Sequence, residues 1–422
     1  MERWHSKEEH RTGIYFNPNH TDFYNAVNHS QIYIDKTELI QYTNSVLFGE
    51  QKYICVSRPR RFGKSVAANM LTAYYSRGCD SRELFQGLKI ATHPDFEKHL
   101  NQYNVIHLNM QSFLSKTQTI EQMIALVTKA VGRDLLRAYP DIDYLDKSIL
   151  TFMLDDVYQN YQVPFIFIID EWDCIFRSRK NQLEEQTKYL DFLRDLLKDK
   201  GYIALAYMTG ILPIKKYGEH SAINVFYEYS MTDASPIEKF TGFTEQEVRQ
   251  LCEQYNMPFS ETKKWYDGYL LKDYQVYNPR AVVSVMLREE FRSYWSETAS
   301  YDVIVPLINM NYDGLKTAVI EMLSGAEVKV NVAAFQNDTE DIKSKDDVLT
   351  YMIHLGYLGY NENRKTAFVP NEEIRQELTT AVESKKWNEM LILQLNSENL
   401  LDATLDMTGM SAQNDPEFAA ES

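Results

Sequence analysis

A chain of 422 residues, 44% of them hydrophobic, can bury a core and divide into two or three domains. No run approaches the roughly 18 apolar residues of a membrane helix, and the charged start "MERWHSKEEH" lacks the apolar stretch of a secretory signal. A net charge of −16 gives no global attraction to nucleic acid or an anionic membrane, and four scattered cysteines without a C-x-x-C pair favour neither a metal centre nor a disulfide framework, so a reduced, cytoplasmic protein is expected.

Residues 1–50 are an N-terminal segment in which "IDKTELI" reads as a helix start with Asp35 as N-cap. Residues 51–235 alternate short β-rich runs with helical patterns. "KYICV" is a strand that ends at "RPRRFGKS" (Arg58–Ser65). "SVAANMLTAYYSR" follows, with Val66, Met70, Leu71 and Tyr74 at helical spacing. "NVIHLNM" is a second strand and "TIEQMIALVTKAVGRDLL" an amphipathic helix. "PFIFIID" is a third strand, apolar throughout, as a strand buried on both faces is. The helix "QLEEQTKYLDFLRDLLKD" has Gly201 in place to cap its C-terminus. "YIALAYMTG" is a fourth strand and "VFYEYS" a fifth. The fold class expected is α/β, with a parallel sheet of about five strands flanked by helices.

Residues 236–312 read as a helical lid, opening with a capping box at Thr244 and Glu247. In residues 313–400 a helix runs into Gly356, two short aromatic strands flank "NENRK" and another helix follows, a winged-helix-like pattern. Residues 401–422 are small, polar and acidic, as in a disordered tail.

Three signals carry chemistry. The phosphate-loop pattern is G-x-x-x-x-G-K-[ST]. Gly63, Lys64 and Ser65 supply its second half, but Arg58 stands where the first glycine is expected. In such a loop the backbone from Arg60 through Arg61, Phe62, Gly63, Lys64 and Ser65 to Val66 cradles phosphate. Lys64 would reach the β- and γ-phosphates and Ser65 would ligate Mg²⁺. The second signal is "FIIDEWD", where Asp170 would hold Mg²⁺ and Glu171 would orient and deprotonate water. Asp173 is an outer partner or, preferably, the N-cap of a short turn. The third is Thr209, at the end of the next strand, which would contact the attacking water or the γ-phosphate or would serve only as a turn residue before Gly210. A chance G-K-S in a basic loop and a solvated pair of acids are the plainer readings of each part. All three falling at the carboxyl ends of strands, where open α/β sheets bind ligands, favours a nucleotide site.

These residues resemble the AAA-ATPase-like family of additional-strand P-loop ATPases. The resemblance rests on "YIDKT", "RPRRFGKS", "FIIDEWD", "MTGILPIKK", "WYDGY" with "VYNP", "YWSETAS" and "LGYLGYNE", across about residues 12–400. It implies that Arg58 replaces glycine in a working loop, that ATP and Mg²⁺ are bound, that Glu171, Lys64 and Thr209 act in hydrolysis, and that the segment of Asp35 and Lys36 precedes the nucleotide site and could touch the base, the alternative to a plain helix start there. Family members usually continue into a nuclease domain. This chain is expected to lack one, and "NSENLLDATLDM" resembles the linker before it. Glu261-x-Lys263 is read as a solvated helix face, so no nuclease activity is expected.

Arg177, Arg179, Arg194 and Arg280 are arginine-finger candidates, with a surface arginine the simpler reading of each. The aromatics of "WYDGY" and "VYNP" fit lid packing better than stacking on bases. His107 and His220 have no ligand-spaced partners. No N-K-x-D guanine motif follows the strands, which favours ATP over GTP. A protein client or self-association is left open, and nucleic acid is not supported by the charge. The rivals to an ATPase are a slow-turnover nucleotide switch and a DNA-associated regulator.

Overall fold

β1 (Tyr53–Ser57), β2 (Asn104–Asn109), β3 (Phe165–Asp170), β4 (Ile203–Gly210) and β5 (Tyr227–Tyr229) pair in parallel in the order β2-β3-β4-β1-β5. The computed structural model describes residues 12–179, 182–214, 223–295, 301–310, 312–335 and 342–383. Residues 1–11, His220, the linker-like segment and the 401–422 tail lie outside them.

Alternation along β3 explains its composition. Phe165, Phe167 and Ile169 join one core with the Ile120–Ala138, Leu150–Tyr161 and Leu183–Leu197 helices. Ile166 and Ile168 join a second core on the other face, with the Lys64–Tyr75 helix and Phe23, Leu39 and Ile40 of the N-terminal segment. Every residue of β3 is buried, so the strand has no solvent face on which to alternate polar residues. The register sets Asn109 opposite Asp170, and Val56 and Ser57 opposite Thr209 and Gly210. The carboxyl ends of four strands therefore meet at one edge of the sheet.

Two caps differ from expectation. The Leu183–Leu197 helix ends at Lys198, and the left-handed residue after it is Asp199 (φ 57°), two residues before Gly201. The N-cap of Glu38–Val46 is Thr37, and Asp35 instead accepts the Thr37 N–H and the Lys89 N–H at 2.8 and 2.7 Å. That carboxylate ties two segments together rather than one helix to its own start.

Residues 236–312 hold more than helices. β6 (Phe243–Thr244), β7 (Tyr269–Leu271) and β8 (Tyr274–Tyr277) form an antiparallel sheet beside the Glu245–Gln254, Phe259–Tyr266 and Pro279–Arg288 helices. The strands are two to four residues long, too short for a period of two to register in sequence. The capping box forms between Thr244 and Glu247; Tyr266 and Tyr277 are buried in the lid core, and Tyr269 in the core shared with Phe62 and the C-terminal region. Glu261 accepts a hydrogen bond from Trp265, and Lys263 pairs with Glu245 on the surface.

The C-terminal region runs helix (Leu315–Leu323), β9 (Val328–Lys329), helix (Lys345–Leu355), β10 (Gly359–Asn361), β11 (Thr366–Phe368), helix (Glu372–Glu383), with sheet order β10-β11-β9. The order of these helices and strands resembles that of a winged helix. The region packs directly on the phosphate loop, since Phe62, Ile211 and Leu212 share one core with Tyr351, Met352 and Leu358. Gly356 ends the Lys345–Leu355 helix in the left-handed region (φ 86°), and a Cβ there would come within 2.8 Å of Pro59 and Trp295. Both the conformation and the contact demand glycine. Among the described residues no helix is long and apolar enough to cross a membrane.

Candidate functional site

β1 delivers the chain to residues 58–63, and the Lys64–Tyr75 helix takes it away. Arg61 (φ 69°) and Gly63 (φ 82°) are left-handed, while Arg58 is not among the positive-φ residues. Gly63 has open space around it, so its conformation, not crowding, requires glycine. Alternating handedness turns successive N–H groups inward and makes an anion-binding concavity at a helix N-terminus.

Arg58 does not enter that concavity. Its side chain is fully buried and runs the other way, donating to Tyr229 O (2.7 Å), Ser57 O (2.9 Å) and Thr241 Oγ1 (3.0 Å). Its N–H donates to Gly210 O at 3.0 Å, extending the β1–β4 pairing. Burial lowers the guanidinium pKa to about 10, with Tyr207, Glu238 and Glu228 opposing, so it is charged at neutral pH.

Lys64 Nζ donates to two carbonyls of its own loop, Arg58 O at 3.0 Å and Pro59 O at 2.8 Å. Burial pushes its pKa down, while Glu171, Asp173 and Asp170 pull it up. Ser65 Oγ donates to Asp170 Oδ2 at 2.7 Å. Thr209 is buried and donates to Asp170 Oδ1. It therefore holds the carboxylate and does not line the open cavity, a different placement from a group facing water or phosphate. Asn109 N-caps the Met110–Leu114 turn and stands 3.5 Å from Asp170.

The "DEWD" turn corrects two expectations. Asp173 occupies the cap position of the Cys174–Ser178 turn but its side chain does not cap it. Instead Oδ2 accepts the N–H groups of Ile211 and Leu212 at 3.0 and 2.9 Å, which fixes the segment leaving β4. Arg177 is not a free surface arginine. It pairs with Glu171 and stands 3.2 Å from Asp173. Glu171 itself is left-handed (φ 56°). Arg179 and Arg194 fit the surface reading, bonding Gln182 and Asp191.

A cavity of about 790 Å³ opens over the loop. It is lined by Arg60 through Val66, Glu171 and Arg177. Apolar groups of the N-terminal segment (Phe23, Ile32, Ile34) and of the lid (Phe240, Phe243, Val283) also line it, together with Arg280. Sequence reasoning missed this apolar lining, since its residues lie on three separated segments and carry no motif. Arg280, one of the arginine-finger candidates of the sequence, lines this cavity from the first turn of the Pro279–Arg288 helix. His107 Nδ1 meets Thr72 Oγ1 at 3.1 Å. Among the described residues no cluster of three or more His, Cys, Asp or Glu could hold a metal. Ser65 and Asp170 offer adjoining hard oxygen donors beside the loop, of the kind that Mg²⁺ takes together with phosphate and water.

A strand, a G-K-S loop, a helix and an Asp-Glu pair at the end of a nearby parallel strand define a P-loop NTPase core. Residues 19–218 match the AAA-ATPase-like family model, described as predicted AAA-ATPase. The family resemblance thus holds over the stretch that contains Arg58–Ser65, Asp170, Glu171 and Thr209. A protein of Azotobacter chroococcum mcd 1, described as an uncharacterized protein in the vnfD 5' region, is 24% identical over 283 residues. That match covers 65% of this chain and 52% of the relative, so the chain spans about half of that protein's length. Among solved structures, a Walker-type ATPase of Pyrococcus abyssi matches with TM-score 0.40 at 12% identity, over 82% of this chain and 94% of the other. The ORC2 protein of Aeropyrum pernix, in ADPNP–ADP complexes, matches with TM-score 0.35 at 12% identity, over 84% and 97%.

Proposed function

We propose that this chain is a Mg²⁺-dependent ATPase whose nucleotide cycle moves its lid and winged regions. The observation that carries the reading is the convergence of Lys64, Ser65, Asp170 and Glu171, with Ser65 Oγ 2.7 Å from Asp170. The apolar lining of the cavity suits a purine, and it comes from the N-terminal segment and the lid. A ligand touching both favours one arrangement of them over another.

Binding requires Lys64 to exchange the carbonyls of Arg58 and Pro59 for phosphate oxygens. The loop N–H groups supply the remaining donors without reorganising, because Arg61 and Gly63 already hold the left-handed geometry. Ser65 and Asp170 would hold Mg²⁺, with Thr209 fixing the carboxylate's other oxygen. The ion, when bound, neutralises phosphate charge. Glu171 would orient a water in line with the γ-phosphate and take its proton.

A slow-turnover switch is the second reading, favoured by one observation: the Glu171 carboxylate is engaged by Arg177. The DNA-regulator reading loses ground, because Asp347–His354, on the helix before the wing, are all buried where a recognition helix must be open to a groove. Single-turnover ATP hydrolysis with Mg²⁺, comparing wild type with Glu171→Gln, tests the reading. The expected result is hydrolysis by wild type and binding without hydrolysis by the variant. Equal inertness of both, with nucleotide bound, selects the switch.

A further inference from the structure

Glu171 and Arg177 both line the cavity and are partly open to it, with side chains 25% and 15% exposed. Glu171 Oε2 takes a donor from Arg177, whose Nε faces the buried Asp173 at 3.2 Å. A carboxylate oxygen directed at a guanidinium is not free to turn toward a water over the loop. The Cys174–Ser178 helix that carries Arg177 is not anchored by the ATPase core alone. Its Phe176 packs against both the β2–β3–β4 core and the core shared with the winged region. Tyr351, from the winged region's Lys345–Leu355 helix, lies within electrostatic reach of Asp173, Arg177 and Arg60. Gly356, which caps the same helix, sits so near Pro59 of the phosphate loop that a Cβ there would come within 2.8 Å of it.

Resting on the ATPase reading above, we propose that Arg177 is a positioning residue that acts in cis to restrain Glu171. In this arrangement the ion pair holds the glutamate off the attacking water. Hydrolysis requires the pair to open, and the winged region controls the opening through Phe176 and Tyr351. Arg177 is therefore neither a solvated surface charge nor a group that stabilises the transferred phosphate. Its removal raises turnover.

The test uses the full chain with Mg²⁺, measuring steady-state ATP hydrolysis and, separately, the affinity for a fluorescent ATP analogue. Arg177→Gln raises kcat by about fivefold, the factor expected for release of a partly exposed ion pair. Analogue affinity is measured alongside, so that the rise in kcat is read apart from any change in binding at the cavity that Arg177 lines. Arg177→Lys, which keeps a cation, falls between the two. Adding Glu171→Gln to Arg177→Gln removes the gain, which a merely loosened fold would not predict. A kcat that drops toward that of Glu171→Gln, with binding intact, overturns the restraint and makes Arg177 a group that assists transfer. Failure of wild type to bind nucleotide overturns the ATPase reading and this one with it.

Discussion

At its N-terminal end the phosphate loop is held by a side chain, and at its C-terminal end by backbone conformation. Arg58 is buried beneath the loop and bonded to Tyr229, Ser57 and Thr241. Gly63, with no atom within 4 Å of where a Cβ would stand, keeps only its left-handed φ of 82°. The arginine thus meets a folding requirement and the glycine a binding one. A loop can lose its first glycine where the chain at that position has an ordinary φ and a side chain has somewhere to go. It cannot lose the second without turning the N–H groups away.

The sharpest way to break this contrast is Lys64→Ala, on the binding side. Nucleotide affinity is expected to fall about 100-fold or more, read by titration of the folded chain. Next comes Arg58→Met, on the folding side. It leaves the Tyr229 and Ser57 carbonyls short of a donor and costs about 2 to 4 kcal/mol, read by denaturant unfolding. The folded fraction still binds nucleotide. Thr209→Val removes the donor to Asp170 and is expected to raise the Mg²⁺ concentration for half-maximal hydrolysis about tenfold.

The smallest effect lies where the Glu372–Glu383 helix meets Tyr294 and Trp295. Glu373 accepts the N–H groups of Tyr294 and Trp295 at 2.7 and 2.9 Å. Burial pushes its carboxyl from 4.5 up to about 8, with those N–H groups opposing and Glu377 adding. The folded chain therefore keeps a proton that the unfolded chain gives up. This contribution to stability is full below about pH 4.5 and is lost as pH rises through about 8. Glu373→Gln keeps an acceptor for both N–H groups without the ionisation. Its melting temperature at pH 8 is expected to exceed wild type by about 2 to 4 °C, with no difference at pH 4.5.

The sheet and the phosphate-loop lining of the cavity were legible because each is coded locally. "PFIFIID" must be buried on both faces, and "FGKS" between a strand and a helix has few other uses. The apolar lining was not legible. Phe23, Ile32, Phe243 and Val283 meet only through tertiary contact, and nothing in their spacing marks them. Acidic residues were misjudged for one reason. Asp35 and Asp173 precede helical turns as caps do, yet each carboxylate reaches a distant backbone N–H instead, at Lys89 and at Ile211 and Leu212. Arg177 was read as surface because an ion pair six residues away along a turn has no sequence signature.

Equilibrium titration of Mg²⁺-ATP into wild type, Lys64→Ala and Arg58→Met tests the central claim most directly. The account predicts saturable one-to-one binding by wild type, retention of it by folded Arg58→Met, and its loss in Lys64→Ala. Absence of binding by wild type, or binding indifferent to Lys64, would contradict it.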